Sequence, residues 1–329
     1  MTAAIPSRIG TAPEGYVSEE PTIAVVIPVF RGANCIRAAI DSVMMQSHPA
    51  SEIIVIDDGS PDDSGAIAAS YGDKVRVIRQ ENGGMGNARN AGIHSATSTW
   101  ISFLDQDDTF DACRLEKIRN AALSSPSAKW IYSDWTMFDV NRQTRIYRTT
   151  PNPTEYEKEF RYICGIMPSV STIRKDALID VGGFNEQDEL IGVDDHLLIL
   201  NFMRKFGASA FARVPEPLSV YTWHDTNFSA RIGDHFRGRI ALLSYQIDDL
   251  TGLKRWIWKR ILLARLYFDV SIMLREQFQS GYFQQALRSL SQWPFPHRAL
   301  SFRRYKIFAH MLMTRLGILS PHERNEEAP

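Results

Sequence analysis

The sequence predicts an α/β protein: a mainly parallel central sheet flanked by helices, followed by a helical C-terminal extension. Three observations predict it. Short apolar runs alternate with segments of helical periodicity through the first 140 residues, as in β-α-β units. The first two runs, at 22–30 and 51–57, are nearly continuous rather than alternating, which suits strands covered on both faces. From residue 234 to 316 the pattern is mostly helical.

Taken in order, residues 1–20 are rich in Pro, Gly, Ser and Thr, lack periodicity and read as a loose tail. The run TIAVVIPVF at 22–30 is the first strand, and Pro28 is expected to end its regular part. Ile36, Ala39, Ile40 and Val43 then recur at helical spacing. SEIIVID at 51–57 is a second strand, closed by the turn-forming Asp57-Asp58-Gly59-Ser60-Pro61. A helix is expected over 62–71, a strand over 74–79, a helix over 84–96 and a strand over 99–104, which Asp105-Gln106-Asp107-Asp108 closes. Residues 112–123 read as helix and 130–139 as strand. Beyond Arg142 the pattern loosens. Residues 151–159 suit a surface loop or short helix, 169–173 an extended segment, 175–181 a short helix, 194–206 a marked helix and 214–221 a strand or loop. The expected units are a tail at 1–20, an α/β domain at 21–232, a helical extension at 233–318 and a polar tail at 319–329.

Composition is that of a globular chain, 44% hydrophobic and 23% charged, which excludes general disorder. Net charge is −1, but residues 251–329 carry 13 Lys and Arg against 5 Asp and Glu. That basic end suits either phosphate groups or an anionic membrane, or a plain solvated surface. Cys35, Cys113 and Cys164 are scattered and form neither a zinc cluster nor a disulfide framework. With no secretory apolar stretch near Met1 and no charge-free run of 18 apolar residues, the expected location is cytoplasmic, with peripheral contact on the inner face of the membrane as an option.

Strands in such a sheet end along one edge, where ligands of open α/β folds bind. Both acidic clusters sit at predicted strand ends, so they are expected to meet. Asp105, Asp107 and Asp108 supply the oxygen ligands that Mg²⁺ or Mn²⁺ prefers; the alternative is a solvated acidic turn. In extended geometry Asp105 and Asp107 point the same way. Asp57 and Asp58 can accept hydrogen bonds from a base N–H or a ribose hydroxyl, or simply close an Asx-turn. The stretch Asn82-Gly83-Gly84-Met85-Gly86-Asn87-Ala88-Arg89-Asn90 leads into a helix whose first amides, with Arg89, suit a diphosphate; the alternative is a glycine turn with a surface arginine. It is neither a P-loop nor a dinucleotide fingerprint. Asp194 and Asp195 open a helix, where one can cap it and the other can serve as a general base. His224, within Trp223-His224-Asp225, suits a metal or a phosphate, or is a partly buried surface histidine.

Six segments together resemble the family-2 glycosyltransferases with the GT-A fold: IAVVIPVF at 23–30, IIVIDDGSPD at 53–62, NGGMGNARNAGI at 82–93, FLDQDD at 103–108, STIRKDALIDVGGF at 171–184 and GVDDHLL at 192–198. The resemblance spans about 22–228. It implies that Pro28 and Phe30 border the nucleotide base, that Asp58 bonds to that base, often uracil, and that Asp57 shapes the turn. It places Arg89 near donor phosphates, Asp105 at the ribose and Asp107 at the divalent metal. It makes Asp195 the catalytic base and sets His224 near the diphosphate or metal; Asp108, Asp194 and Trp223 are secondary candidates. Phe30 stands where tyrosine is frequent, and Asp194 where glutamate is usual.

The expected activity is metal-dependent, inverting transfer of a sugar from a nucleoside-diphosphate sugar, with a UDP-sugar as the expected donor, to a hydroxyl of a glycan or lipid-linked acceptor. A nucleotidyltransferase would use similar groups but release pyrophosphate. An inactive sugar-binding or scaffold protein would show neither reaction. In the basic end, Trp256, Trp258, Tyr267 and Phe268 suit internal packing, a homo-oligomer contact or a membrane surface, and Arg255, Lys259, Arg265 and Asp269 share one helical face. No compact nucleic-acid-recognition motif accompanies the arginines, so no nucleic-acid partner is expected.

Overall fold

The computed structural model describes residues 20–153, 166–187, 190, 192–224, 227, 232–276, 282–293, 308, 309 and 312. The expected tails at 1–20 and 319–329 therefore lie outside the described residues, save Glu20, as does most of 151–159.

The first half of the chain is β1 (Ile23–Val29), α1 (Ile36–Met44), β2 (Glu52–Asp57), α2 (Ser64–Ala69), β3 (Arg76–Arg79), α3 (Gly84–Ser95), β4 (Trp100–Phe103), β5 (Thr109–Phe110), α4 (Arg114–Ser124), β6 (Trp130–Asp139) and β7 (Thr144–Arg148). Then come β8 (Ser171–Arg174), α5 (Lys175–Asp180), α6 (Asp194–Phe206) and β9 (Phe211–Trp223), and the helices α7 (Ile232–Gln246), α8 (Gly252–Glu276) and α9 (Tyr282–Gln292). The sheet order is β3-β2-β1-β4-β8-β6-β9-β5, with β7 paired to β6. β3, β2, β1 and β4 are parallel, while β8 joins β4 antiparallel.

β1 divides the core. Ala24 and Val26 belong to one apolar layer, with Ile54, Phe103, Trp130 and Phe202. Val25 and Ile27 face the other, with Ile36, Ile40, Leu115 and Ile118. Strand alternation sends successive side chains to opposite faces, and both faces are roofed by helices, so the run has no polar side. α3 lies close on its layer because Gly92 permits it: a Cβ there would sit 2.3 Å from Val26 Cγ1.

One expectation is corrected. β1 does not stop at Pro28 but continues to Val29 in register with Asp57. The Val26 carbonyl accepts from Leu104 N, so Val26, and two residues on Pro28, face the β4 side. β4 pairs with β1 only as far as Phe103, so the missing proline N–H costs no ladder bond.

Of the C-terminal helices, α7 packs on the α/β domain, and α8 and α9 follow in turn on α7 and α8. Leu197 and Leu200 of α6 meet Leu242 of α7, and a second cluster joins Leu243 and Ile247 to Ile261 and Leu262 of α8. Two residues of the predicted polar face of α8 make contacts outside the helix, while Lys259 is exposed. Arg255 donates to the Ile247 and Leu250 carbonyls, and Asp269 accepts from Arg239 of α7 at 2.7 Å. Trp258 packs within the helical cluster, while Trp256 is 55% exposed. Among the described residues no helix is long and apolar enough to cross a membrane.

Candidate functional site

The parallel strands β2, β1 and β4 end side by side, and their loops carry the two acidic clusters to one edge. Asp57 turns inward. One carboxylate oxygen accepts from Ser60 N at 2.8 Å and the other from Arg79 at 2.6 Å, so this side chain shapes the turn. Asp58 reaches the glycine loop: Oδ1 accepts from Gly83 N and Oδ2 from Gly84 N, both at 2.9 Å. α3 starts at Gly84 and has no capping side chain of its own, so Asp58 supplies both the hydrogen-bond acceptor and the negative charge that a helix N-terminus favours. Gln80 bridges Asp58 to Asn87 on the first turn of α3.

Arg89 is 3% exposed and stands between two carboxylates. It donates to Asp105 Oδ1 at 2.8 Å and to Asp194 Oδ2 at 2.9 Å, and its guanidinium lies over the Phe184 ring. Burial opposes its charge, but Asp105 and Asp194 outweigh burial and hold it firmly protonated. One planar fork thus ties the end of β4 to the start of α6.

Asp107 forms a second constellation with the end of β9. Its Oδ2 lies 3.0 Å from His224 Nε2 and 3.3 Å from Asn227 Nδ2. Burial raises its pKa, Asp105 raises it further, and the His224 hydrogen bond offsets part of the rise. Asp108 is fully buried and accepts from Thr222 N at 3.0 Å; burial, then Asp107 and Asp105, push its pKa well up. Among the described residues no group of three His, Cys, Asp or Glu forms a metal cage. Asp107 and His224 nevertheless fit two adjacent positions on an Mg²⁺ or Mn²⁺ ion. Cis ligands about 2.1 Å from one ion stand about 3 Å apart, and such ions keep waters and share phosphate oxygens.

Asp194 and Asp195 occupy the first turn of α6. Asp194 is buried against Arg89; burial raises its pKa and Arg89 opposes the rise. Asp195 stands beside the apolar side chains of Phe103, Trp130, Phe184 and Leu198, which leave no room for a water molecule between them. Burial first, then the Asp194 charge, push its carboxyl up to about 7, against the pull of Arg89. A carboxylate in that range suits a general base. The cleft beside Asp194 is bounded by Gly83, Gly84, Gly86 and Glu186, so the glycine loop opens toward the same region.

Of the remaining predicted residues, Pro28 is buried within β1, Phe30 is 39% exposed at its end, and Trp223 closes β9, its carbonyl accepting from Val140 N. The sequence reading passed over Gln106, Asn227 and Ser169. Gln106 bonds to the Phe30 backbone, Asn227 to Asp107, and Ser169 Oγ accepts from Asp105 N at 3.0 Å. Gln106 was visible as the one neutral residue inside an acidic cluster. Asn227 follows a singled-out histidine by three positions. Ser169 carried no local signal.

Residues 24–182 match the family model described as glycosyl transferase family 2. An uncharacterised glycosyltransferase of Rickettsia prowazekii is 44% identical over 96 residues, 29% of this chain and only 30% of that relative. The fold is similar to that of Staphylococcus aureus TarS 1–349 in complex with UDP-GlcNAc (TM-score 0.56, 15% identity, 94% of this chain and 98% of that one). It is also similar to the mannosyltransferase PcManGT of Pyrobaculum calidifontis in complex with GDP-Man and Mn²⁺ (TM-score 0.58, 16% identity, 92% and 82%).

Proposed function

The chain carries a glycosyl transferase family 2 domain on a GT-A fold, and from that premise we propose that it transfers a sugar from a nucleoside-diphosphate sugar to an acceptor hydroxyl, with inversion at the anomeric carbon. The observation that carries this reading is the Arg89 fork. It draws Asp105, from the acidic loop, and Asp194, beside Asp195, to one cleft edge.

In this reading Phe30 and the Asp58-braced glycine loop border the nucleotide. Asp105 faces the ribose, while Asp107 and His224 would hold a divalent cation, whose charge would stabilise the nucleoside diphosphate leaving group. Asp195 accepts the proton of the acceptor hydroxyl as its oxygen attacks the sugar carbon from the face opposite the leaving group. The apolar side chains beside Asp195, with the neighbouring Asp194 charge, hold its proton affinity near neutral. UDP is favoured as the nucleotide by the resemblance; the two structural neighbours hold UDP-GlcNAc and GDP-Man, so both nucleotides belong in the test. The acceptor class is a glycan or a lipid-linked glycan.

The test is mass spectrometry of products from UDP- and GDP-sugar panels with glycan and lipid-linked acceptors, with Mn²⁺ and Mg²⁺ supplied separately. A glycosylated product with a free nucleoside diphosphate supports the reading. Release of pyrophosphate, or neither transfer nor donor hydrolysis across the panel, overturns it.

A further inference from the structure

Gln106 sits between Asp105 and Asp107 and carries no charge, yet its amide makes a paired contact with the end of β1. Phe30 N donates to Gln106 Oε1 at 2.9 Å, and Gln106 Nε2 donates to the Phe30 carbonyl at 3.3 Å. Along β1, the even-numbered residues turn their backbone polar groups toward β4: Thr22 O accepts from Trp100 N and Val26 O from Leu104 N. Phe30 belongs to the same series, but β4 has ended at Phe103. A carboxamide offers the same donor and acceptor as a peptide group. Gln106 therefore continues the ladder with a side chain where the strand has run out.

Its surroundings are built to admit it. A Cβ on Gly32 would stand 2.6 Å from Gln106 Oε1 and 2.7 Å from Val29 Cγ2, so the chain passes too close for any side chain there. Arg31 adopts a left-handed conformation, φ 55°, which a non-glycine residue takes up only when its surroundings hold it. Its guanidinium lies 5.2 Å from the centre of the half-exposed Phe30 ring.

We propose that Gln106 is a positioning residue for the donor nucleotide: by gripping the Phe30 backbone it fixes the Phe30–Gly32 edge against which the base lies, and couples that edge to the loop bearing Asp105 and Asp107. The proposal rests on the nucleoside-diphosphate-sugar reading above. Holding the edge in place before binding spares the ligand the cost of ordering it.

Calorimetric titration with UDP and with GDP in the presence of Mn²⁺ tests it on the full chain and two variants. Gln106→Met keeps length and bulk but neither hydrogen bond; Gln106→Ala also removes the side chain. Thermal melting checks that each remains folded, and Gln106→Met decides if Gln106→Ala does not. The expected result is nucleotide affinity weakened about tenfold, the scale of one or two lost hydrogen bonds, with Mn²⁺-pyrophosphate affinity unchanged. Wild-type nucleotide affinity in the folded Gln106→Met variant overturns the role of Gln106 and leaves the donor reading standing. An equal loss toward pyrophosphate also overturns it, since the residue would then act on the phosphate end. If the wild-type chain binds neither nucleotide, the donor reading falls and this proposal with it.

Discussion

Arg89 and Asp194, 105 positions apart in sequence, meet in a 2.9 Å hydrogen-bonded ion pair with both side chains almost wholly buried. The same guanidinium holds the 30% exposed Asp105, so three charged groups meet at one junction between α3, the end of β4 and the start of α6. Charges withdrawn from water persist only when paired and hydrogen-bonded. The junction is thus a structural requirement as well as a feature of the site, and the two consequences can be measured separately.

Removing Arg89 leaves Asp194 buried without a counter-charge. Arg89→Ala should lower stability by about 3–5 kcal/mol, the usual cost of stripping one partner from a buried pair. Arg89→Lys keeps the charge but cannot fork to two carboxylates in a plane, so it should fall between wild type and Arg89→Ala. Urea unfolding of the three proteins checks the order.

Asp195→Asn keeps the size of the side chain and removes its basicity. Sugar transfer should fall by about 10²–10⁴-fold while nucleotide affinity stays at the wild-type value. Calorimetry with the nucleotide and a steady-state transfer assay on the same preparation separate the two. Undiminished transfer by the folded variant removes Asp195 from the role of base.

Two pH responses of opposite sign follow from the Asp195 carboxyl being pushed up to about 7. As a base it must be ionised, so kcat/KM should climb with pH and level off above about 7. For stability, the folded chain keeps a proton that the unfolded chain has released at the ordinary carboxylate pKa. Between the ordinary value near 4 and the folded value near 7, the stability this group contributes is therefore lost as pH rises. Asp195→Asn should be less sensitive to a move from pH 5 to pH 8 than wild type in unfolding midpoint, which denaturation at the two pH values reads directly.

In the proposed reading Asp107 and His224, 3.0 Å apart, would share a cation. Asp107→Ala and His224→Ala should each weaken Mn²⁺-dependent binding of UDP or GDP while leaving any metal-independent component intact. Titrations with Mn²⁺ and with EDTA compare them. Nucleotide affinity that is metal-dependent in wild type and unaltered in both variants would place the cation elsewhere.

Much of the fold was legible because its signals are local. The apolar runs at 22–30 and 51–57 had to be strands roofed on both sides, and the expected strand at 130–139 is β6 as found. The extent of β1 was not legible. Whether proline ends a strand depends on which side its absent N–H faces, and that depends on where β4 stops. The segment read as 214–221 is the longer β9, Phe211–Trp223, because pairing with β6 extends it past its apolar centre.

At the site, the sequence alone located the acidic residues on turns after strands, since Asp, Gly and Pro announce those turns through their own backbone preferences. It could not assign their partners. Asp57 bends inward to Arg79 and Ser60, Asp58 braces the glycine loop, and Arg89 spends both terminal nitrogens on Asp105 and Asp194. Those choices belong to strand order and helix docking, which bring together residues up to 105 positions apart. Residue type sets which bonds a side chain is able to make; only the packed chain sets which partner stands within 3 Å.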